Sequence, residues 1–179
     1  MVAAAVRAMG PITTVLDIPC GKGRHLPVLA RFGLHAILAD PSVEMIEQAG
    51  LYDQAFAHPL RRFVAAATQI PLPDESVDAV LCSRVLNRLA LPEDRIRLLR
   101  ELARVCRVGV VVSFFDAASL RYRRRLRRRP EGRCGHRAIT RRQFREEAKH
   151  AGLECVSMHA LLRFHAELTA AALLKGAPS

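Results

Sequence analysis

The feature that most constrains this chain is an alternation. Short apolar runs rich in β-branched residues recur at TVLDIP (14–19), HAILAD (35–40), RFVAAAT (62–68), VDAVLCSR (77–84) and VGVVVSFF (108–115). Between several of them lie segments with helical signals. RHLPVLARF (24–32) is stopped by Gly33, with Pro27 tolerable only in a first turn. VEMIEQAG (43–50) has Ser42 as its N-cap and Glu44 in its first turn. LPEDRIRLLRELARVC (91–106) spaces Ile96, Leu99, Leu102, Ala103 and Cys106 on one face, with Glu93 and Asp94 early. IPLPDES (70–76) is a loop, because its prolines exclude a helix. Strands that alternate with helices predict an α/β fold with a parallel sheet covered on both faces, and ligands at the carboxyl ends of its strands.

The end of the chain breaks the alternation. TRRQFREEAKHAG (140–152) is a helix capped by Thr140 and stopped by Gly152, and two strand candidates follow it, LECVSMHALL (153–162) and FHAELTAAALL (164–174). Two strands in succession predict an antiparallel hairpin at the sheet edge. The alanines of the last run argue for a helix and its position argues for a strand, which is the expectation adopted.

The turn after the first strand, VLDIPCGKGRH (15–25), places two glycines where a helix begins. Backbone amides can approach a ligand closely there, and the helix start favours negative charge. A phosphate loop needs Ser or Thr after its lysine, and Lys22 is followed by Gly23. Gly21-Lys22-Gly23 is also the first half of a dinucleotide fingerprint, but Leu26 occupies the third glycine's position.

At 179 residues the chain is expected to be one domain, 1–179, with a basic insertion at about 117–142. No apolar stretch approaches the roughly 18 residues that cross a bilayer, and MVAAAVRAMGPI lacks the long apolar centre of a signal peptide, so a cytoplasmic chain with no transmembrane segment is expected. Five cysteines, mostly in apolar segments, read as free buried thiols; Cys134-x-His136 lacks the second pair a zinc site needs, so no metal is expected. Charge is concentrated. Of 28 basic and 17 acidic residues, 12 arginines fall between Arg121 and Arg145 against the single acid Glu131, so the rest of the chain is charge-neutral.

VLDIPCGKGRHL resembles the first motif of the class I S-adenosylmethionine-dependent methyltransferases, in which a strand ends in Asp-x-Gly-Cys-Gly-x-Gly. ILADPS resembles the acid that ends their second strand, and TQIPLPDESVDAVLCSRVLNRL their fourth-strand segment. Pro19 stands where the motif has its first glycine, and Ala66 where many members carry an acid for the adenine amino group. The resemblance implies a Rossmann-like, doubly wound, mostly parallel seven-stranded sheet with an antiparallel C-terminal edge hairpin, and S-adenosylmethionine as cofactor.

On the same basis the cofactor-binding residues are Asp17, Cys20, Gly21, Gly23, Asp40, Pro41, Met45, Ala67, Thr68 and Cys82. Asp17 faces the ammonium, Asp40 the ribose hydroxyls, and Met45 with Ala67 and Thr68 the adenine. Lys22 and Arg24 are read as solvated, Asp78 as structural, and His25 as the histidine nearest the site.

The amine-methylating Asn/Asp-Pro-Pro-Tyr/Phe signature is absent, since CSRVLN follows the fourth strand. Asn87, Arg88 and Tyr122 are the candidates for the methyl acceptor, and no catalytic base is identified. The expected acceptor is a small or lipid-like, anionic molecule. Two alternatives stay open: an RNA acceptor gripped through Arg121–Arg145, and a non-catalytic S-adenosylmethionine-binding protein, which Pro19 and Ala66 motivate. A solvated basic helix and loop is the bland reading of the arginines. The first strand starts early, which leaves capping of the pocket to the arginine segment or to a second subunit in a homodimer.

Overall fold

The computed structural model describes residues 1–51, 56, 60–128, 137–160 and 168–176, excepting the side chains of Arg125, Leu126 and Arg128. Most of Arg121–Arg145 is therefore described, whereas Arg129, Arg133 and the Cys134-x-His136 pair lie outside the described residues.

Helix α1 (Val2–Arg7) precedes strand β1 (Thr14–Asp17), and α2 (Leu26–Arg31), β2 (His35–Asp40), α3 (Val43–Ala49), β3 (Arg61–Val64) and β4 (Val77–Cys82) follow. After a 3-10 turn at Leu86–Arg88 come α4 (Pro92–Val105), β5 (Cys106–Asp116), α5 (Leu120–Arg128), β6 (Ala138–Ile139), α6 (Arg141–His150), β7 (Leu153–Ala160) and β8 (Leu168–Lys175). The sheet runs β3-β2-β1-β4-β5-β8-β7, with β6 paired to the end of β5. All pairings are parallel except β5–β8 and β7–β8.

Alternation along each strand distributes the core to two faces. Leu16, Val80, Val110, Val112 and Leu173 pack with Leu98, Leu99 and Leu102 of α4 and Phe144 of α6, whose ring stacks on Phe114 at 4.4 Å. Val15, Leu81, Val111, Ala170 and Ala172 pack with Val2, Ala5 and Val6 of α1 and Leu26 and Leu29 of α2. Neither face is left to solvent, which is why these strands read as continuous apolar runs. The described free cysteines Cys20, Cys82 and Cys106 are buried and Cys155 is half-buried. Among the described residues no helix is long and apolar enough to cross a membrane.

Four differences from the sequence reading have physical causes. The sheet has eight strands because the two-residue β6, too short to show any periodicity, pairs with Phe115 and Asp116. The third strand ends at Val64; Ala66 and Gln69 bridge across a tight turn, so Ala67 and Thr68 belong to a loop. No loop separates α4 from β5, which begins directly at Cys106. The segment before β1 is occupied by α1, whose apolar side lies on the sheet.

The final run is a strand despite its alanines. Ala170, Ala171 and Ala172 are fully buried between β5 and β7, where small side chains let helices on both faces approach. Residues 161–167, which include the start of the expected last strand, lie outside the described residues.

Candidate functional site

The carboxyl ends of β2, β1, β4 and β5 lie side by side along one edge of the parallel sheet, and the candidate cleft above them has a floor assembled by backbone rather than by side chains. The amide of Ile18 donates to Leu81 O on one side, and the amide of Cys20 to Ala39 O on the other, each at 2.9 Å, so the chain crosses from one neighbour of β1 to the other. Gly21 and Gly23 then adopt φ of +53° and +78°, in the left-handed region that excludes most side chains. A Cβ on Gly21 would meet nothing within 4 Å, so open space lies over this turn.

Asp40 closes the turn. Its Oδ2 accepts from the Gly21 amide at 2.8 Å and its Oδ1 from the Ser42 amide at 2.9 Å. Each oxygen keeps a second lone pair. Ser42 in turn caps α3 by accepting from the Met45 amide. Pro41 is exposed and Met45 half-buried beside it, while Ala67 is buried and Thr68 exposed across the end of β3. Val64, opposite Asp40 in register, and Val43 at the start of α3 are exposed apolar residues along the same edge. The sequence reading missed them, because a single valine at a strand end carries no distinguishing signal.

Asp17 differs from Asp40 in every respect that matters. It is fully buried, and neither carboxylate oxygen has a hydrogen-bond partner. Burial first, and the neighbouring Asp40 charge second, push its carboxyl well above the ordinary range. A buried acid without a donor is costly unless a cation comes to it. The same environment raises the thiol of Cys20 to about 12, through burial and then the charges of Asp17 and Asp40. The thiol of Cys82 is also raised by burial and by Asp17. Both cysteines are neutral thiols at pH 7 and unsuited to nucleophilic attack. No group of His, Cys, Asp and Glu that could hold a metal occurs among the described residues.

Across the cleft, Ser113 is buried in the middle of an apolar strand, and its hydroxyl organises the end of β4. Ser113 Oγ accepts from the Arg84 amide at 2.8 Å and shares a hydrogen bond with Ser83 Oγ at 3.2 Å. Arg84 has φ of +65°, strained for a residue with a side chain. The sequence reading passed over these three residues, although a serine inside VVVSFF was the available signal. His25, at the start of α2, is held neutral at pH 7. Burial, then the Arg24 and Arg84 charges, lower its pKa to about 4.

Asn87 is buried and Arg88 exposed after β4, and the Asn87 carbonyl accepts from the Arg137 amide at 2.9 Å. Tyr122 is buried on α5, its amide donating to Ser119 Oγ. The basic segment is thereby stapled at its base beside the cleft: Ala117 donates to Ile139 O at 3.0 Å, and Arg141 Nε to Asp116 Oδ2 at 2.7 Å. Asp78 lies at the far end of β4. It accepts from the Thr13 amide and hydroxyl, the Thr14 amide and Arg107, tying β1 to β4 away from the cleft.

A glycine turn closed by the acid of the neighbouring strand, with a second acid buried unpaired beneath it, is matched by a family model described as a methyltransferase domain over residues 16–114. The chain belongs to the methyltransferase-domain family. A demethylmenaquinone methyltransferase of Clavibacter sepedonicus is 34% identical over 113 residues, covering 59% of this chain and 42% of that protein. A U6 snRNA (guanine-N2)-methyltransferase of Bos taurus is 33% identical over 100 residues, covering 53% of this chain and 20% of that protein. The chain thus spans less than half the length of these curated relatives.

Among solved structures, the magnesium protoporphyrin IX methyltransferase of Synechocystis PCC 6803 with bound S-adenosylhomocysteine superposes with a TM-score of 0.77 at 17% identity, covering 98% of this chain and 80% of that one. The methyltransferase domain described here has the class I fold, and S-adenosylmethionine is the cofactor of its family.

Proposed function

We propose that this methyltransferase domain transfers a methyl group from S-adenosylmethionine to a small or lipid-like, anionic acceptor. The observation that carries the reading is the buried, partnerless carboxylate of Asp17 under the open glycine turn, which suits a ligand bearing an ammonium and a sulfonium. Asp40 offers its remaining lone pairs to the ribose hydroxyls, with its orientation already fixed by Gly21 and Ser42. Met45, Val43, Val64, Ala67 and Thr68 border the adenine, and the Gly21 and Gly23 backbone passes under the methionine part. The buried Cys20 and Cys82 thiols lie beneath the turn as neutral groups.

When bound, the cofactor supplies an electrophilic methyl group and a neutral thioether leaving group. The protein's part is to orient the acceptor and exclude water. Arg84 and Arg88 set positive charge at the mouth of the cleft, and neither has an ion-pair partner among the described residues. That charge favours an anionic acceptor, with Asn87 behind it. His25, neutral at pH 7, is free to accept a hydrogen bond from an acceptor that carries a proton, while its lowered pKa makes it a weak base. RNA is the weaker reading: Tyr122, the sole aromatic residue of 119–142, is buried, which leaves α5 without a platform for stacking bases.

Isothermal calorimetry with S-adenosylmethionine, S-adenosylhomocysteine and NAD tests the cofactor. Binding of the first two and not of NAD is the expected result. Absence of binding to either sulfur nucleoside at millimolar concentration would overturn the enzymatic reading in favour of a non-catalytic domain.

A further inference from the structure

Outside α5, five described arginines have their charge answered by an acid within the fold. Arg95 pairs with Glu147, Arg104 with Asp74 and Glu101, Arg107 with Asp78, Arg141 with Asp116 and Arg142 with Glu146. Helix α5 gathers several that have none among the described residues on one short helix. Arg121, Arg123, Arg124 and Arg127 are exposed and have no acidic partner among the described residues, while Tyr122 on the opposite side is buried. At 100° per residue the four arginines fall on one continuous face of about 160°. The stapled base described above holds this helix at the carboxyl end of β5.

The same end of the sheet carries exposed apolar side chains. Val43 opens α3, Val64 ends β3, Leu91 precedes α4 and Leu120 opens α5. All four belong to connections at the carboxyl ends of the strands. Isolated exposed valines and leucines need no explanation. Their placement at one end of the sheet, together with a face of guanidinium groups that have no acidic partner among the described residues, is the combination that lies stably on an interface of apolar chains and anionic headgroups.

We propose that the carboxyl-end rim of the domain is a docking surface for an anionic lipid bilayer, with the α5 arginines on the headgroups and Leu91 and Leu120 entering the interface. This rests on the lipid-like acceptor proposed above, and it places the cleft mouth against the phase where such an acceptor resides. A nucleic acid would meet the same positive charge but has no use for the apolar rim. A bilayer uses both, so the variants that separate the two are those that remove only the leucines.

The test is co-sedimentation of the whole chain with vesicles of phosphatidylcholine alone and of phosphatidylcholine mixed with phosphatidylglycerol, beside a binding titration with a short oligouridine RNA. The wild type is expected to bind the mixed vesicles selectively and to lose them as salt rises. Replacing Arg123, Arg124 and Arg127 together by Gln is expected to weaken vesicle binding on the order of a hundredfold, at roughly fivefold per arginine, with calorimetric binding of S-adenosylmethionine unchanged. Leu91→Ser with Leu120→Ser is expected to weaken vesicle binding and leave oligouridine binding as it was.

Equal sedimentation with both vesicle types, or tighter binding to oligouridine that ignores the leucines, overturns the proposal. Should the arginine variant lose its fold, the wild-type comparison of the two vesicles still decides. Because vesicle binding needs no cofactor, its failure is distinguishable from a failure to bind S-adenosylmethionine, which sinks the enzymatic reading instead.

Discussion

The Gly21 amide donates to Asp40 Oδ2 at 2.8 Å, so the turn after β1 and the end of β2 are one unit before any ligand arrives. This bond fixes the carboxylate's direction and keeps the glycine amide satisfied. It makes Asp40 a structural residue as well as the proposed receptor of the ribose.

Asp40→Ala is expected to weaken S-adenosylmethionine binding by about 1–3 kcal/mol, the scale of a lost buried hydrogen-bond partner. The amides of Gly21 and Ser42 lose their acceptor at the same time, so the melting temperature of the free protein falls as well. Calorimetry and a thermal melt read the two effects separately. Unchanged affinity would mean that the ribose is held elsewhere.

Asp17 gives a pH dependence of definite sign. Its carboxyl is raised by burial and by Asp40, so the folded state holds its proton more tightly than the unfolded chain. The resulting stability is fully present below the unfolded value of about 3.9 and is lost as pH rises through the higher folded value. Thermal melts of the free protein from acid to neutral pH should show this loss, and Asp17→Asn should flatten it while abolishing cofactor binding. Parallel profiles for the two proteins would show that Asp17 is not the group responsible. Cofactor binding at a pH near the raised value should also release a proton, measurable as a dependence of calorimetric heat on the buffer's ionisation enthalpy.

Gly109 of β5 has no room for a side chain. A Cβ there would lie 2.1 Å from the Leu173 carbonyl oxygen of β8, a rigid backbone atom. Gly109→Ala is therefore expected to cost at least the 1–3 kcal/mol, roughly, of an overpacked core, and to loosen the β5–β8 pairing. Urea denaturation measures the loss, and retention of wild-type stability would show that β8 shifts freely.

The buried pair between α4 and α6 predicts an asymmetry. Arg95 donates through Nε to Glu147 Oε2 at 2.8 Å and through Nη1 to the carbonyls of Leu89 and Ala90. Glu147→Leu leaves the guanidinium buried without its partner and should cost about 3–5 kcal/mol. Arg95→Met combined with Glu147→Leu should recover most of that. A double-mutant cycle in urea checks both, and additive losses would contradict the pairing.

Much of the fold was legible because its signals are local. Ser42 and Thr140 were readable as N-caps, and both accept from the backbone as caps do. HAILAD was readable as a buried strand and spans β2 residue for residue. The two-residue β6 was not, since it has no period and exists only because the chain returns to the end of β5. Nor was α1, whose helix depends on burying Val2, Ala5 and Val6 against β5 and β8 at the other end of the chain. Within the site, the glycine turn, Asp17 and Asp40 were nameable from their order. Ser83, Ser113 and Arg84 were not, because 29 residues separate the Arg84 amide from the hydroxyl that holds it.

The sequence by itself determined the succession of strands and helices, the caps, the glycine turn and the location of the excess charge, since each depends on neighbours along the chain. Only the tertiary structure decided that β8 lies inside β7, that Asp17 is buried without a donor while each Asp40 oxygen accepts from a backbone amide, and that Arg121, Arg123, Arg124 and Arg127 stand exposed with no acidic partner among the described residues. Those outcomes depend on desolvation and on which groups meet across the sheet. Both are set by packing between segments far apart in the chain.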